Sequence, residues 1–161
     1  MDKAEPQKEH MWLQKLAGEW DFEAEMTMGP DQPPMTCTGT GSVRTIGGLW
    51  TLIEGEGEMP GGGAATSLFT LGYDPQKQRF VGSFLASMMT HLWLYDGTLD
   101  ADGKTLTLDT EGPSFAQDGT MSKYQDLITI VSDDHWMLTS RAPNPDGTWT
   151  EFMNGHYRRK K

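Results

Sequence analysis

The chain has 161 residues, with 13 Lys+Arg, 23 Asp+Glu, four His and one Cys, a formal net charge of −10 and a pI near 4.7. That length suits one domain that buries about 70% of its unfolded surface without staples. One cysteine excludes an intrachain disulfide framework, and the acidic balance excludes a phosphate-binding surface for DNA or RNA.

The first ten residues, Met1 to His10, are charged and polar with no apolar signal core. No stretch approaches the ~20 apolar residues of a membrane helix. A cytoplasmic protein with no membrane and no nucleic-acid partner is therefore expected. A helix is predicted over about 6–17. Pro6 suits a first helical position, Trp12, Leu13 and Leu16 form an apolar stripe, and Gly18 suits the left-handed residue that ends a helix. Twelve residues are too few for a stable free helix, so it should dock on the rest of the protein. His10 is expected on its exposed side.

After Gly18 the period changes from 3.6 to 2. Trp20, Phe22, Ala24, Met26 and Met28 alternate with Glu19, Asp21, Glu23, Glu25 and Thr27, the pattern of a strand with one buried and one wet face. Nine further strands are predicted at about 35–46, 49–58, 66–73, 79–88, 90–98, 104–111, 122–132, 135–141 and 148–159. The connections carry turn residues: Gly47-Gly48, Asp74-Pro75-Gln76-Lys77, Asp100-Ala101-Asp102-Gly103, Asp133-Asp134 and Pro143-Asn144-Pro145-Asp146-Gly147. Pro60-Gly61-Gly62-Gly63-Ala64-Ala65 reads as a flexible loop. Ten consecutive antiparallel strands must close or expose two edges, and closure removes the edge problem. The expected fold is all-β: a single-domain, up-and-down barrel over about 19–159 with an N-terminal helix. A flatter, half-open barrel is the alternative.

Leu16-Ala17-Gly18-Glu19-Trp20 resembles the opening signature of the lipocalin and calycin barrels, Leu-x-Gly-x-Trp. The resemblance implies a Trp near the closed end, packed by an Arg from the last strand. That assigns a structural role to Gly18 and Trp20 and leaves Arg158 or Arg159 as the partner. Over nearly its whole length the chain also resembles a bacterial family of uncharacterised proteins, domain of unknown function 1579. Ile46-Gly47-Gly48, Gly72-Tyr73-Asp74, Tyr95-Asp96-Gly97, Asp102-Gly103-Lys104 and Tyr157-Arg158-Arg159 carry that likeness. It implies a lipocalin-like barrel and no particular activity. Nitrobindin, a small haem barrel, is a more distant relative by fold. It opens with Gly-x-Trp-x-Gly, whereas this chain reads Gly18-Glu19-Trp20-Asp21-Phe22. The haem-barrel likeness would make an inward last-strand His an axial ligand.

Thr90-His91-Leu92-Trp93-Leu94-Tyr95 is apolar on both faces. His91, Trp93 and Tyr95 share one face and are read as lining an interior pocket. The opposite face, with Leu92 and Leu94, needs cover from the helix or from a second subunit in a homodimer. Arg44 and Arg141 sit amid Thr, Ser and apolar residues, so an inward Arg would hold an anionic head group by a bidentate contact. Pairing with Glu54 or Asp126 is the structural alternative. His156 shares a face with Phe152, Asn154 and Arg158, and His135, at a hairpin end, is read as solvated.

Glu54, Glu56 and Glu58 alternate with Gly55 and Gly57 and read as a solvated face. Asp100 to Lys104 lacks the later ligands of a calcium loop and reads as a hairpin turn. No metal-ligand spacing, nucleophile elbow, phosphate loop or dinucleotide fingerprint is present. The reading is non-catalytic binding of a small hydrophobic or amphipathic molecule inside the barrel. Two alternatives stand beside it: haem bound through His156 or His91, and a filled barrel serving as a dimeric interaction module.

Overall fold

The computed structural model describes residues 1–27, 31–58 and 62–161. Met28 of the expected first strand and Pro60-Gly61 of the expected loop lie outside the described residues. One short helix, α1 (Lys8–Gln14), precedes ten strands: β1 (Gly18–Met26), β2 (Met35–Ile46), β3 (Trp50–Glu58), β4 (Ala64–Asp74), β5 (Arg79–Ala86), β6 (Trp93–Leu99), β7 (Thr105–Pro113), β8 (Met121–Ser132), β9 (His135–Pro143) and β10 (Trp149–Arg159). Each pairs antiparallel with its sequence neighbours, and β1 pairs with β10, closing the barrel. No described helix is long and apolar enough to cross a membrane.

Alternation sets which side chains point inward. Trp20 and Ala24 of β1 are buried, as are Val43, Ile53, Phe69, Leu71, Phe80, Leu106, Leu108, Ile128, Trp136, Leu138 and Tyr157 on the other strands. The large side chains fill the half of the barrel nearest α1. There Trp136 stacks on Tyr157 with ring centres 3.8 Å apart, and Trp20 meets Trp136 edge-on at 6.1 Å. Such aromatic pairs add stabilisation beyond the area they bury.

The helix is shorter than the sequence predicts. Its N-cap is Gln7, in extended conformation, so Pro6 lies outside the helix rather than at its first position. At its other end the amides of Lys15, Leu16 and Ala17 bond three residues back, to Trp12, Leu13 and Gln14. This tighter turn ends the α-helix early and brings Leu16 and Trp20 together, the Trp20 indole N–H donating to the Leu16 carbonyl at 2.8 Å. His10 is buried rather than exposed: Nδ1 accepts from the Gln7 amide at 2.9 Å, leaving Nε2–H to donate to the Tyr73 carbonyl at 3.1 Å. The Trp12 indole donates to the Gly103 carbonyl and the Gln14 amide to that of Gly48. The helix therefore lies across one end of the barrel, tied to the ends of three hairpins. It does not cover Leu92 and Leu94, which stay exposed.

Of the two candidate arginines, Arg159 packs on Trp20, its guanidinium carbon 4.2 Å from the ring centre. It also donates to the Ala17 and Asp133 carbonyls and pairs with Asp134. Gly18, at φ +133, leaves room for it: a Cβ there would lie 2.4 Å from Arg159 Nη1. Arg158 points outward and is exposed. Replacing Arg159 by Ala should cost about 1–3 kcal/mol in urea unfolding, since it strips a cation–π contact and the hydrogen bonds to the half-buried Ala17 carbonyl and the exposed Asp133 carbonyl. Arg158→Ala should change stability by no more than about 0.5 kcal/mol.

Candidate ligand cavity

The barrel half away from α1 is hollow. One hollow, about 570 Å³, is lined by Met26, Phe84, Met88, Met89, His91, Trp93, Tyr95, Thr110, Phe115, Tyr124 and Phe152 among others. A second, about 400 Å³, is lined by Phe22, Ala24, Cys37, Gly55, Ser67, Phe69, Ala86, Leu138, Met153 and Tyr157. They share Met26, Phe84, Met88, Met89, Asp126 and Ser140 as walls, so they adjoin. Both sizes fall in the usual range for small-molecule sites.

Small inward residues create this space. Close packing of β2 on β3 enforces two of them: a Cβ at Gly39 would lie 2.3 Å from the Glu56 carbonyl oxygen, and one at Gly57 would lie 2.7 Å from that of Thr38. The carboxylates of Glu54, Glu56 and Glu58 lie on the outer, exposed face of β3.

A half-buried carboxyl is set in these apolar walls. Asp126 of β8 faces inward between Tyr124 and Ile128. Its Oδ1 accepts from the Ser140 hydroxyl at 2.6 Å, and its Oδ2 accepts from the Tyr95 hydroxyl. Burial raises the Asp126 pKa above the ordinary carboxylate range, partly offset by those two hydrogen bonds. Burial, followed by the Asp126 charge, likewise pushes the Tyr95 phenol well above its usual value. Thr110 is 8% exposed, lines the larger hollow, and its hydroxyl has no hydrogen-bond partner among the described residues.

The wall beside His91 is irregular. β6 pairs with β7 only from Asp96 to Leu99, although β7 runs on to Pro113. Strand β6 starts at Trp93 rather than near residue 90, because the chain before it is held by a side chain instead of a ladder. The His91 ring contacts the Glu111 carbonyl through Nε2 at 2.9 Å and meets Trp93 edge-on at 4.8 Å. Trp93 lies against the backbone of Gly112, where a Cβ would come within 2.1 Å of the indole.

Of the residues read from sequence as ligand-binding, His91, Trp93 and Tyr95 come together on the wall of the larger hollow. Arg44, Arg141 and His156 do not. Val43 and Ser140 occupy the inward positions, so the adjacent Arg44 and Arg141 face out. Arg44 pairs with Glu54 at 3.2 Å, both half-exposed, and Arg141 donates to Gln125 at 2.8 Å beside Trp149. His156 alternates with inward Gly155 and Tyr157 and bonds His135 on the outer surface at 2.8 Å, so His135 is paired rather than simply solvated. Burial lowers the His135 pKa, with Arg158 and His156 adding to the effect. A bulge between Glu151 and Met153 moves Phe152 out of the phase expected for it and onto the cavity wall.

The haem reading does not fit this arrangement. The last-strand His points away from the cavity, and the Nε2 of the cavity-lining His91 is engaged by the chain. Among the described residues no group of three His, Cys, Asp or Glu side chains is placed to hold a metal ion.

Sequence reasoning missed Asp126, Ser140 and Thr110 as cavity residues. The signal for Asp126 was available: it interrupts the inward alternation Tyr124, Ile128, Ile130. Ser140 becomes visible only through register, being its cross-strand partner in β9.

The fold and its hollow half define a closed ten-stranded antiparallel β-barrel with one N-terminal helix. The chain belongs to the family described as protein of unknown function (DUF1579), which matches residues 5–159. No curated protein matches it. Among solved structures it is similar to Rv2717c from M. tuberculosis, with a TM-score of 0.65 at 10% identity, covering 98% of this chain and 100% of that one. It is also similar to the S-type phycobiliprotein lyase CPES from Guillardia theta, with a TM-score of 0.57 at 14% identity over 97% and 99% of the two chains. A third similar structure is EF1p2_mFAP2b bound to DFHBI, with a TM-score of 0.50 at 15% identity over 94% and 98%.

A carboxyl whose folded pKa exceeds its unfolded one holds its proton more tightly in the fold. It therefore lowers stability as pH rises from the ordinary carboxylate range through the raised value. Asp126→Asn, which keeps an acceptor for Ser140, should raise the melting temperature at neutral pH by roughly 2–4 °C per kcal/mol gained. The gain should shrink toward pH 4. Melts across pH 4–8 check it, and a gain that grows on acidification would contradict the assignment.

Proposed function

We propose that this protein binds a small, largely apolar molecule inside the far half of its barrel. The observation that carries this reading is the pair of adjoining hollows, walled by methionines and aromatics and offering few polar groups. Methionine suits such a wall because its unbranched, polarizable chain adapts to the occupant. Trp93, Tyr124 and Tyr95 add flat surfaces with polar edges. The similar structure EF1p2_mFAP2b holds DFHBI, so a barrel of this fold accommodates a small molecule.

The neutral fluorophore N-phenyl-1-naphthylamine should bind with a Kd of about 10 μM or tighter and gain emission in the cavity. Ala86 lines the smaller hollow and is buried, so Ala86→Phe should fill part of it and weaken binding about tenfold while the barrel still folds. Native mass spectrometry before and after denaturation would show any molecule retained from the cell. Absence of fluorophore binding would overturn the reading.

A homodimer is supported by a different surface. Leu92 and Leu94 are 50% and 65% exposed and, with Met121 and Trp149, border a groove that reaches His91, Tyr95, Thr110 and Tyr124 of the cavity wall. We propose that a second copy covers this face. Sedimentation should then show a dimer for the native chain and a monomer for Leu94→Glu. A native monomer at about 100 μM would exclude it.

A further inference from the structure

The charge inside the barrel is opposite to the one the sequence implied. Arg44 and Arg141, the expected anchors for an anionic head group, both lie outside, and among the described residues no Lys or Arg lines either hollow. Asp126 is the carboxylate at the wall common to both. Its two described donors are neutral hydroxyls, from Ser140 and Tyr95, and they use one lone pair on each oxygen. The carboxylate therefore retains acceptor capacity and has no cationic partner among the described residues, in a setting where an unpaired charge is costly. The Thr110 hydroxyl, without a partner among the described residues, lines the same hollow. An anion placed here would meet like charge, and a metal ion would find one carboxylate where it needs several donors.

Resting on the cavity-binding reading above, we propose that the ligand is a cationic amphiphile: a protonated amine seated against Asp126, its apolar part in the adjoining hollow. An ammonium N–H would supply the charge-assisted hydrogen bond that Asp126 lacks, and Thr110 offers a further polar contact. Apolar walls around the pair lower the local dielectric and strengthen it.

The test is direct calorimetric titration with three twelve-carbon amphiphiles below their micellar concentrations: dodecylammonium, dodecanol and dodecanoate. Dodecylammonium should bind about tenfold more tightly than dodecanol, and dodecanoate most weakly. In Asp126→Asn the preference for ammonium over alcohol should fall to about threefold or less, a ratio that a general weakening of the cavity would not move. The net charge of −10 also attracts cations at the surface, but that attraction is screened by salt. The native preference should therefore survive about 0.5 M NaCl, a measurement that needs no variant. Loss of the preference in salt, or its survival in Asp126→Asn, would overturn the proposal. Binding of dodecanol with no gain for dodecylammonium would overturn the charge assignment alone. Failure of every amphiphile and of the neutral fluorophore would overturn the cavity reading with it.

Discussion

The contact between Arg159 and Trp20 holds together the two ends of the folded chain. One guanidinium caps an indole on the first strand, donates to the turn that follows the helix, and grips the β8–β9 turn. Arginine suits this position because its planar fork donates in several fixed directions while its face stacks on an aromatic ring. The barrel is closed by β1 meeting β10, so the clamp sits at the joint where the sheet completes itself. Gly18 is required by the same contact, since any side chain there would occupy the guanidinium's place.

From that joint the interior divides. Near the helix, Trp20, Trp136 and Tyr157 form a continuous aromatic pile, and Leu13 and Leu16 plug the end. Farther along the same strands, the inward positions pass to Ala24, Gly39, Gly55 and Ala86. A closed sheet of ten strands cannot collapse onto small side chains, because its circumference is fixed by strand number and stagger. The space therefore remains. The packed half supplies the rigidity that allows the other half to stay hollow.

Much of this was legible in the chain itself. The strict alternation from Trp20 to Met26 and the turn residues between later runs define ten strands, and β2 matches its expected bounds. The site was legible only where alternation is unambiguous, as at His91, Trp93 and Tyr95. Arg44 and Arg141 were misread because both neighbours of each are compatible with either face, and one residue of phase exchanges inside for outside. His156 faces the surface for the same reason, while Phe152 was displaced by a bulge that leaves no mark in composition. His10 was misread because its partner, the Tyr73 carbonyl, is 63 residues away in the chain. A polar helix residue is counted as exposed until tertiary structure supplies a buried acceptor.

The short β6–β7 ladder has a consequence for how the molecule moves. Beyond Asp96 the wall is closed by the Trp93 indole over Gly112 and by the His91 ring on the Glu111 carbonyl, without strand-to-strand hydrogen bonds. Parting paired strands breaks a cooperative row of bonds, whereas turning a side chain crosses only a rotamer barrier. The cylinder therefore carries a seam: a line closed by side chains, where opening would need rotamer changes rather than the parting of a ladder. A molecule passing in or out through that seam would leave the hoop of the barrel intact, so exchange of contents and retention of the fold are mechanically separate.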